Sequence, residues 1–326
     1  MAESYKYMVS TRCWTYNHAS YIRDAMNGFC MQETAFQSIY CIVDDFSTDG
    51  EQEIIKEYLE ENFLTDKESI LERGENADYQ MIMVRHKTNE NCIFAVFFLK
   101  YNHYKIRKPK YPYLAPLENA SKYNAICEGD DYWIAPNKIQ RQIDYLENHS
   151  ECGMVHAKAK VFNQEKNSYT GICGEQNGNF ESTLLKNPIV TLTVCCRSCL
   201  TNEYITERAL WNVSGWRMGD YPAWIWFAHR SRIEFMDEVV AVYREVDGSL
   251  THGSLENRLN FIKSTEEIRL FFANLYKVPA SLVKKVKYSS LINSANACLK
   301  YGDKERAKQY LGKLTLKDRI RIWLRH

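Results

Sequence analysis

Two short strand-like runs in this chain stop abruptly at acids. Residues 39–43 end at Asp44-Asp45, and residues 123–127 end at Glu128-Gly129-Asp130-Asp131. A compact apolar run such as 39–43 predicts a strand buried on both faces, and such strands belong to parallel sheets covered by helices. Adjacent carboxylates just past a buried strand are costly to leave unpaired. A divalent cation resolves that cost, and Mg2+ or Mn2+ suits hard oxygen ligands that share the ion with substrate phosphates. The competing explanation is helix capping, which serves Asp49 ahead of a helix at 51–61. It serves Asp130-Asp131 less well, because the next helix starts near Pro136.

The remaining pattern repeats strand and helix. Strands are expected at 6–13, 81–84, 154–162, 190–196 and 239–244, with helices at 21–30, 51–61, 136–148 and 224–229. Residues 93–101 read as a buried helix. Residues 105–118, with four basic residues and three prolines, read as a long surface loop. This is the order of a doubly wound α/β sheet, where ligands bind beyond the carboxyl ends of the strands. After residue 253 only helices are expected, including a hairpin of 291–299 and 305–311 around Gly302-Asp303, and a basic, partly amphipathic end segment at 313–325 containing Trp323.

Composition adds exclusions. With 326 residues, 45% hydrophobic and 25% charged, the chain is globular rather than disordered. No apolar run approaches the ~20 residues of a membrane span. Residues 1–6 are polar, without a secretory apolar stretch, and the 11 scattered cysteines suit buried free thiols, so a cytoplasmic location is expected. Cys195, Cys196 and Cys199 lack the second ligand pair of a zinc site. A Gly-rich phosphate loop is absent. The net charge of +1 hides an asymmetry: residues 277–326 hold 13 Lys and Arg against 3 Asp and Glu, and the rest of the chain 29 against 38. Such a tail suits an anionic partner or a set of solvated helix faces. The partner expected is an anionic membrane surface, contacted peripherally, and not nucleic acid.

Four motifs in order carry a resemblance: Thr15-Tyr16-Asn17-His18; Val43-Asp44-Asp45-Phe46-Ser47-Thr48-Asp49-Gly50; Cys127-Glu128-Gly129-Asp130-Asp131-Tyr132-Trp133 with Pro136 and Lys138; and Gly219-Asp220-Tyr221-Pro222, followed by residues 238–244 and Gly248-Ser249. Together they resemble glycosyltransferase family 2, in its bacterial surface-polysaccharide members, over roughly residues 5–250. The resemblance implies a GT-A domain over 1–252, a Rossmann-like nucleotide-diphospho-sugar transferase with a mixed, mainly parallel central sheet, and a basic helical region over 253–326. It implies that Thr15, Tyr16 and Asn17 line the base and ribose pocket, and that Asp45, or Asp44 in a register shifted by one, accepts a hydrogen bond from the base. Asp130 would sit near the ribose or the metal, Asp131 would ligate the metal, and Asp220 would be the catalytic base. Arg85 is placed near the donor phosphates by position alone, against the alternative of an exposed salt bridge. Arg244 and His252 are further candidates near the diphosphate, His252 also as a metal ligand. The chain departs from the family at Trp14, where proline is usual, at Glu128, where Asp is common, and in the insertion-like 105–118.

The activity implied is metal-dependent, inverting transfer of a sugar from a nucleotide-diphosphate donor, UDP-sugar foremost, to a glycan or lipid-linked acceptor, with Mn2+ or Mg2+ stabilising the leaving diphosphate. Two other readings stay open: a nucleotidyltransferase acting on a sugar phosphate, and a non-catalytic nucleotide-sugar-binding scaffold. The rings of Tyr221, Trp224, Trp226 and Phe227 suit either sugar stacking or a helix core.

Overall fold

The computed structural model describes residues 5–176, 179–211, 213–246 and 254–324, so His252 and Gly248-Ser249 lie outside the described residues. The chain opens with β1 (Tyr7–Thr15), α1 (Ile22–Cys30), β2 (Ser38–Asp44) and α2 (Glu51–Asn62). The hairpin β3 (Glu72–Glu75) and β4 (Tyr79–Arg85) leads into β5 (Cys92–Leu99), α3 (Tyr111–Asn119) and β6 (Ser121–Ile126). The short β7 (Tyr132–Trp133), α4 (Lys138–Asn148), β8 (Cys152–Asn163), β9 (Ser168–Cys173) and α5 (Phe180–Leu185) follow. Then come β10 (Cys195–Arg197), α6 (Ser198–Leu210), α7 (Asp220–Arg230) and β11 (Arg232–Glu245). Four helices end the chain: α8 (Leu255–Leu275), α9 (Ala280–Lys300), α10 (Lys304–Leu311) and α11 (Leu316–Trp323).

The strands form one mixed sheet in the order β3-β4-β5-β2-β1-β6-β10-β8-β11-β7, with β9 paired to β8. Strands β5, β2, β1 and β6 are mutually parallel, as are β8 and β11, and β10 joins the two groups antiparallel. One face is covered by α1, α2 and α4 through Met26, Phe29, Ile55, Leu59, Ile139 and Ile143. The other carries Leu114 of α3 and, around β8 and β10, Trp224 and Phe227 of α7 with Ile268 and Phe272 of α8. Sandwiched in this way, β2 and β5 are buried at every position.

Three expectations are corrected here. Residues 93–101 hold strand β5, not a helix: a strand covered on both faces shows no alternation, so its period cannot separate it from a buried helix. The expected loop 105–118 contains most of α3. Pro112 occupies the first helical turn, where its missing N–H costs little, and Glu118 docks the helix by a bidentate ion pair to Arg12 of β1 at 2.8 and 2.7 Å. The run 190–196 divides into a single 3-10 turn at Thr191–Thr193 and the short β10.

Candidate active site

Because four central strands run parallel, their carboxyl ends share one edge, and the motif loops leave from it. Thr15 pairs with Asp44 at the tips of β1 and β2. The Asp45 N–H donates to the Thr15 carbonyl and the Gly129 N–H to the Trp14 carbonyl, both at 3.0 Å. The first loop is thus stitched between the two acidic loops. Gly129 must be glycine: a Cβ there would run into the Thr15 side chain. Trp14, in the place usual for proline, continues β1 and lies under the cations of Arg12 and Lys110 at 5.8 and 5.2 Å.

On the β1–β2 side, Thr15 and Asn17 meet the 46–51 turn. Asn17 takes a left-handed φ of 56°, tolerated by its short polar side chain. Its N–H donates to Ser47 Oγ and its Oδ1 accepts from the Thr48 N–H, both at 2.8 Å. Buried Glu51 is the hub: it accepts from the Thr15 hydroxyl, from the His18 N–H at 2.8 Å and from the Ser47 hydroxyl at 2.8 Å. Burial pushes the Glu51 carboxyl pKa up. In the sequence Glu51 reads only as the first residue of a helix, and no motif marks it.

On the β6 side, Glu128, Asp130, Asp131 and Asp220 line one cavity of about 670 Å³, together with Thr191 and Tyr243. Asp220, the first residue of α7, accepts from the Thr191 hydroxyl through Oδ2 and from the Tyr221 N–H through Oδ1, both at 2.7 Å. Burial, then the charges of Asp130 and Asp220, raise the Glu128 pKa to about 7. Burial with repulsion from Asp130 and Glu128 pushes Asp131 well above the usual carboxylate range. The structure therefore brings Asp130, Asp131 and Asp220 together. Thr15, Tyr16, Asn17, Asp44 and Asp45 stand outside this cavity, linked to it through His18, whose Nε2 lies 3.9 Å from Asp130 Oδ2.

The structure does not bring Arg85 to the acids, and it gives Arg244 a bracing position beside them. Arg85 ends β4, which runs antiparallel to β5, and pairs with Ile93 at that strand's start. It lies at the amino edge of the parallel strands, across the sheet from the acids. Arg244 does reach the acidic loop, but as a brace. Its N–H donates to Asp131 Oδ1 at 2.7 Å, its Nη1 to the Asp130 carbonyl at 2.9 Å and its Nη2 to Asp24 at 2.7 Å. The guanidinium lies 4.7 and 5.0 Å from the Tyr21 and Tyr132 ring centres. Tyr221, Trp224, Trp226 and Phe227 are all buried in the core beneath α7.

Among the described residues no set of three His, Cys, Asp or Glu side chains converges as a complete metal site. The carboxylates beside the cavity nonetheless fit a hard divalent cation. They are oxygen donors, mutually repelled and desolvated, and Mg2+ or Mn2+ takes one or two carboxylates and completes its shell with phosphate oxygens and water.

No family model matches the sequence. The chain is 25% identical over 261 residues to the uncharacterized proteins Rv1520 of Mycobacterium tuberculosis and Mb1547 of Mycobacterium bovis. The match covers 76% of this chain and 61% of each relative, so the chain spans less than two thirds of their length. The structure is similar to TarS residues 1–349 of S. aureus in complex with UDP, at a TM-score of 0.51 and 15% identity over 97% of this chain and 78% of that one. It is also similar to the mannosyltransferase PcManGT of Pyrobaculum calidifontis in complex with GDP-Man and Mn2+, at a TM-score of 0.54 and 13% identity over 98% of this chain and 80% of that one. By its sheet order, its layers and these likenesses, the chain has the glycosyltransferase GT-A fold.

Proposed function

We propose that this protein transfers a sugar from a nucleotide-diphosphate donor, UDP-sugar foremost, to a hydroxyl of a glycan or lipid-linked acceptor, with inversion. The observation that carries the reading is the shared cavity: Asp220, oriented by Thr191, faces the same space as Asp130 and Asp131. The UDP bound by TarS and the GDP-Man and Mn2+ bound by PcManGT support a nucleotide donor and a divalent ion. In this reading Thr15, Tyr16 and Asn17 frame the base and ribose, and Asp44 or Asp45 accepts from the base. Asp131, with Asp130, would hold Mn2+ or Mg2+, which when bound stabilises the negative charge on the leaving diphosphate. Asp220 accepts the proton of the acceptor hydroxyl as that oxygen attacks the anomeric carbon, and a single displacement from the far side inverts that centre. Arg244 keeps Asp131 in place through its backbone N–H.

The test is nucleotide release from a panel of nucleotide sugars, with and without Mn2+. UDP release should require the metal and vanish in Asp131→Ala. Asp220→Asn should keep UDP–Mn2+ binding but lose about 10²–10⁴ in turnover, the usual contribution of a general base. Release of pyrophosphate instead would favour nucleotidyl transfer, and nucleotide-sugar binding without turnover a scaffold.

We also propose that the basic C-terminal region rests on an anionic membrane surface. No helix among the described residues is long and apolar enough to cross a membrane. On α11, however, Leu316, Ile320, Trp323 and the adjoining Leu324 are solvent-exposed at helical spacing, among Lys313, Lys317 and Arg321. An apolar stripe flanked by cations is the composition of an interfacial helix.

A further inference from the structure

Arg269 of α8 is 5% exposed, yet no carboxylate of the described residues pairs with it. Its Nε donates to the Tyr221 hydroxyl at 2.9 Å and its Nη1 to the Ser289 hydroxyl at 3.2 Å, both neutral acceptors. No protein group among the described residues accepts from Nη2. A guanidinium removed from water normally has a counter-charge, because its desolvation is otherwise uncompensated. Arg269 lines a cavity of about 170 Å³ between α7, α8 and α9, beside Arg258, Thr265, Ser290 and Asn293. Arg258 also lacks an ion-pair partner among the described residues, and its guanidinium lies 5.6 Å from the Phe261 ring centre. Two arginines beside hydroxyl and amide groups, on a wall shared with Met218, Phe261 and Ile262 and with no acid among the described lining residues, make a recess for an anion.

The recess is small: drug-sized ligands need roughly 300 Å³ or more, so a nucleotide does not fit, whereas a single tetrahedral oxyanion does. It also adjoins the catalytic cavity. Asn187 lines both cavities, and Tyr221, which Arg269 holds, directly follows Asp220. We infer that this recess binds a phosphoryl group carried by the acceptor, anchoring the acceptor beside Asp220. The assignment to an acceptor rests on the sugar-transfer reading; the anion site itself does not. Bidentate guanidinium–phosphate bonding is the recognition chemistry.

The test is calorimetric titration of the full chain at constant ionic strength with inorganic phosphate and, separately, with glycerol 3-phosphate, a phosphate monoester. Both should bind the wild-type protein, the monoester more tightly. Arg258→Gln should weaken both by about tenfold or more, the loss expected for one charge-assisted contact. Arg269→Gln should do the same, but it also removes the buried donor to the Tyr221 hydroxyl, so Arg258→Gln decides if that variant fails to fold. Unchanged phosphate affinity in Arg258→Gln overturns the site. Equal affinity for the two probes assigns the recess to free phosphate and overturns the acceptor role. Titration of UDP with Mn2+ into the same wild-type protein reports separately on the donor reading, so the two failures are distinguishable.

Discussion

Asp44 and Asp45 are adjacent in one motif and are wired for different work. Asp45 has no free oxygen: Oδ1 accepts from the His103 N–H at 2.7 Å, and Oδ2 from the Tyr104 N–H at 3.2 Å and Lys110 Nζ at 2.8 Å. Asp44 uses Oδ1 for the Ser47 N–H and the Gln52 amide, while Oδ2 is buried with no partner among the described residues, and burial pushes this carboxyl's pKa up. On the proposed reading, Asp44 rather than Asp45 would offer the acceptor atom to a base. Asp44→Ala should weaken UDP binding in the presence of Mn2+ by about tenfold with a small change in melting temperature. Asp45→Ala should instead destabilise the fold by about 3 kcal/mol, because Lys110 and two backbone N–H groups lose their acceptor. Calorimetry and thermal melts on the two variants check this, and the reverse pattern would exchange the roles. The sequence marks both acids but leaves the choice open, because the residues that occupy Asp45 come from the 101–110 segment, far along the chain. Glu51 was equally hidden, since what it binds is set by two loops meeting in space.

At the scale of elements, the strand–helix rhythm was legible wherever one face of an element is polar, as in α1 and α4. It failed at β5, whose neighbours cover both faces, and at α3, where Pro112 and Pro116 obscure a helix held by the Arg12–Glu118 pair. The pairing of β8 with β11 creates a further feature that sequence pattern does not reveal. His156 of β8, opposite Phe235 of β11, is fully buried, its ring 5.2 Å from that of Phe235, and neither ring nitrogen has a partner among the described residues. Desolvation lowers its pKa to about 4, below the 6.5 usual for histidine. The folded protein therefore holds the neutral ring, while the unfolded chain takes up a proton near 6.5. Its contribution is complete above pH 6.5 and is lost as pH falls from 6.5 toward 4, by up to about 3 kcal/mol. His156→Leu should flatten that part of the stability–pH curve, so the difference in melting temperature between variant and wild type should grow in the variant's favour from pH 7 to pH 4. Parallel curves would mean that the ring is solvated or paired in solution.

For the whole molecule, the charge asymmetry visible in the sequence becomes a geometric one. The C-terminal helices are not a detached tail: Ile268 and Phe272 of α8 and Val286 of α9 share a core with Trp224 and Phe227 of α7. α11 is docked in turn on α9 through Ile322, Leu314 and the Tyr288–Asp318 hydrogen bond of 2.7 Å. The apolar positions left over on α11 point away from any core, with Leu316, Trp323 and Leu324 each more than 70% exposed. On the proposed reading, a basic helix docked on α9 with an outward apolar stripe would hold the acidic cavity at a fixed attitude to a membrane and so to a lipid-linked acceptor. Its cations supply attraction of about 1 kcal/mol each near an anionic surface, and its rings and leucines supply burial that salt does not screen. Wild-type protein should therefore sediment with phosphatidylglycerol vesicles and not with phosphatidylcholine vesicles, with only partial release at high salt. The combined variant Leu316→Ser, Ile320→Ser, Trp323→Ser should sediment at least about tenfold less while melting as wild type, because exposed substitutions typically cost under about 0.5 kcal/mol each. Sedimentation of that variant equal to wild type would remove α11 from the membrane contact and leave the charge asymmetry as a property of solvated helix faces.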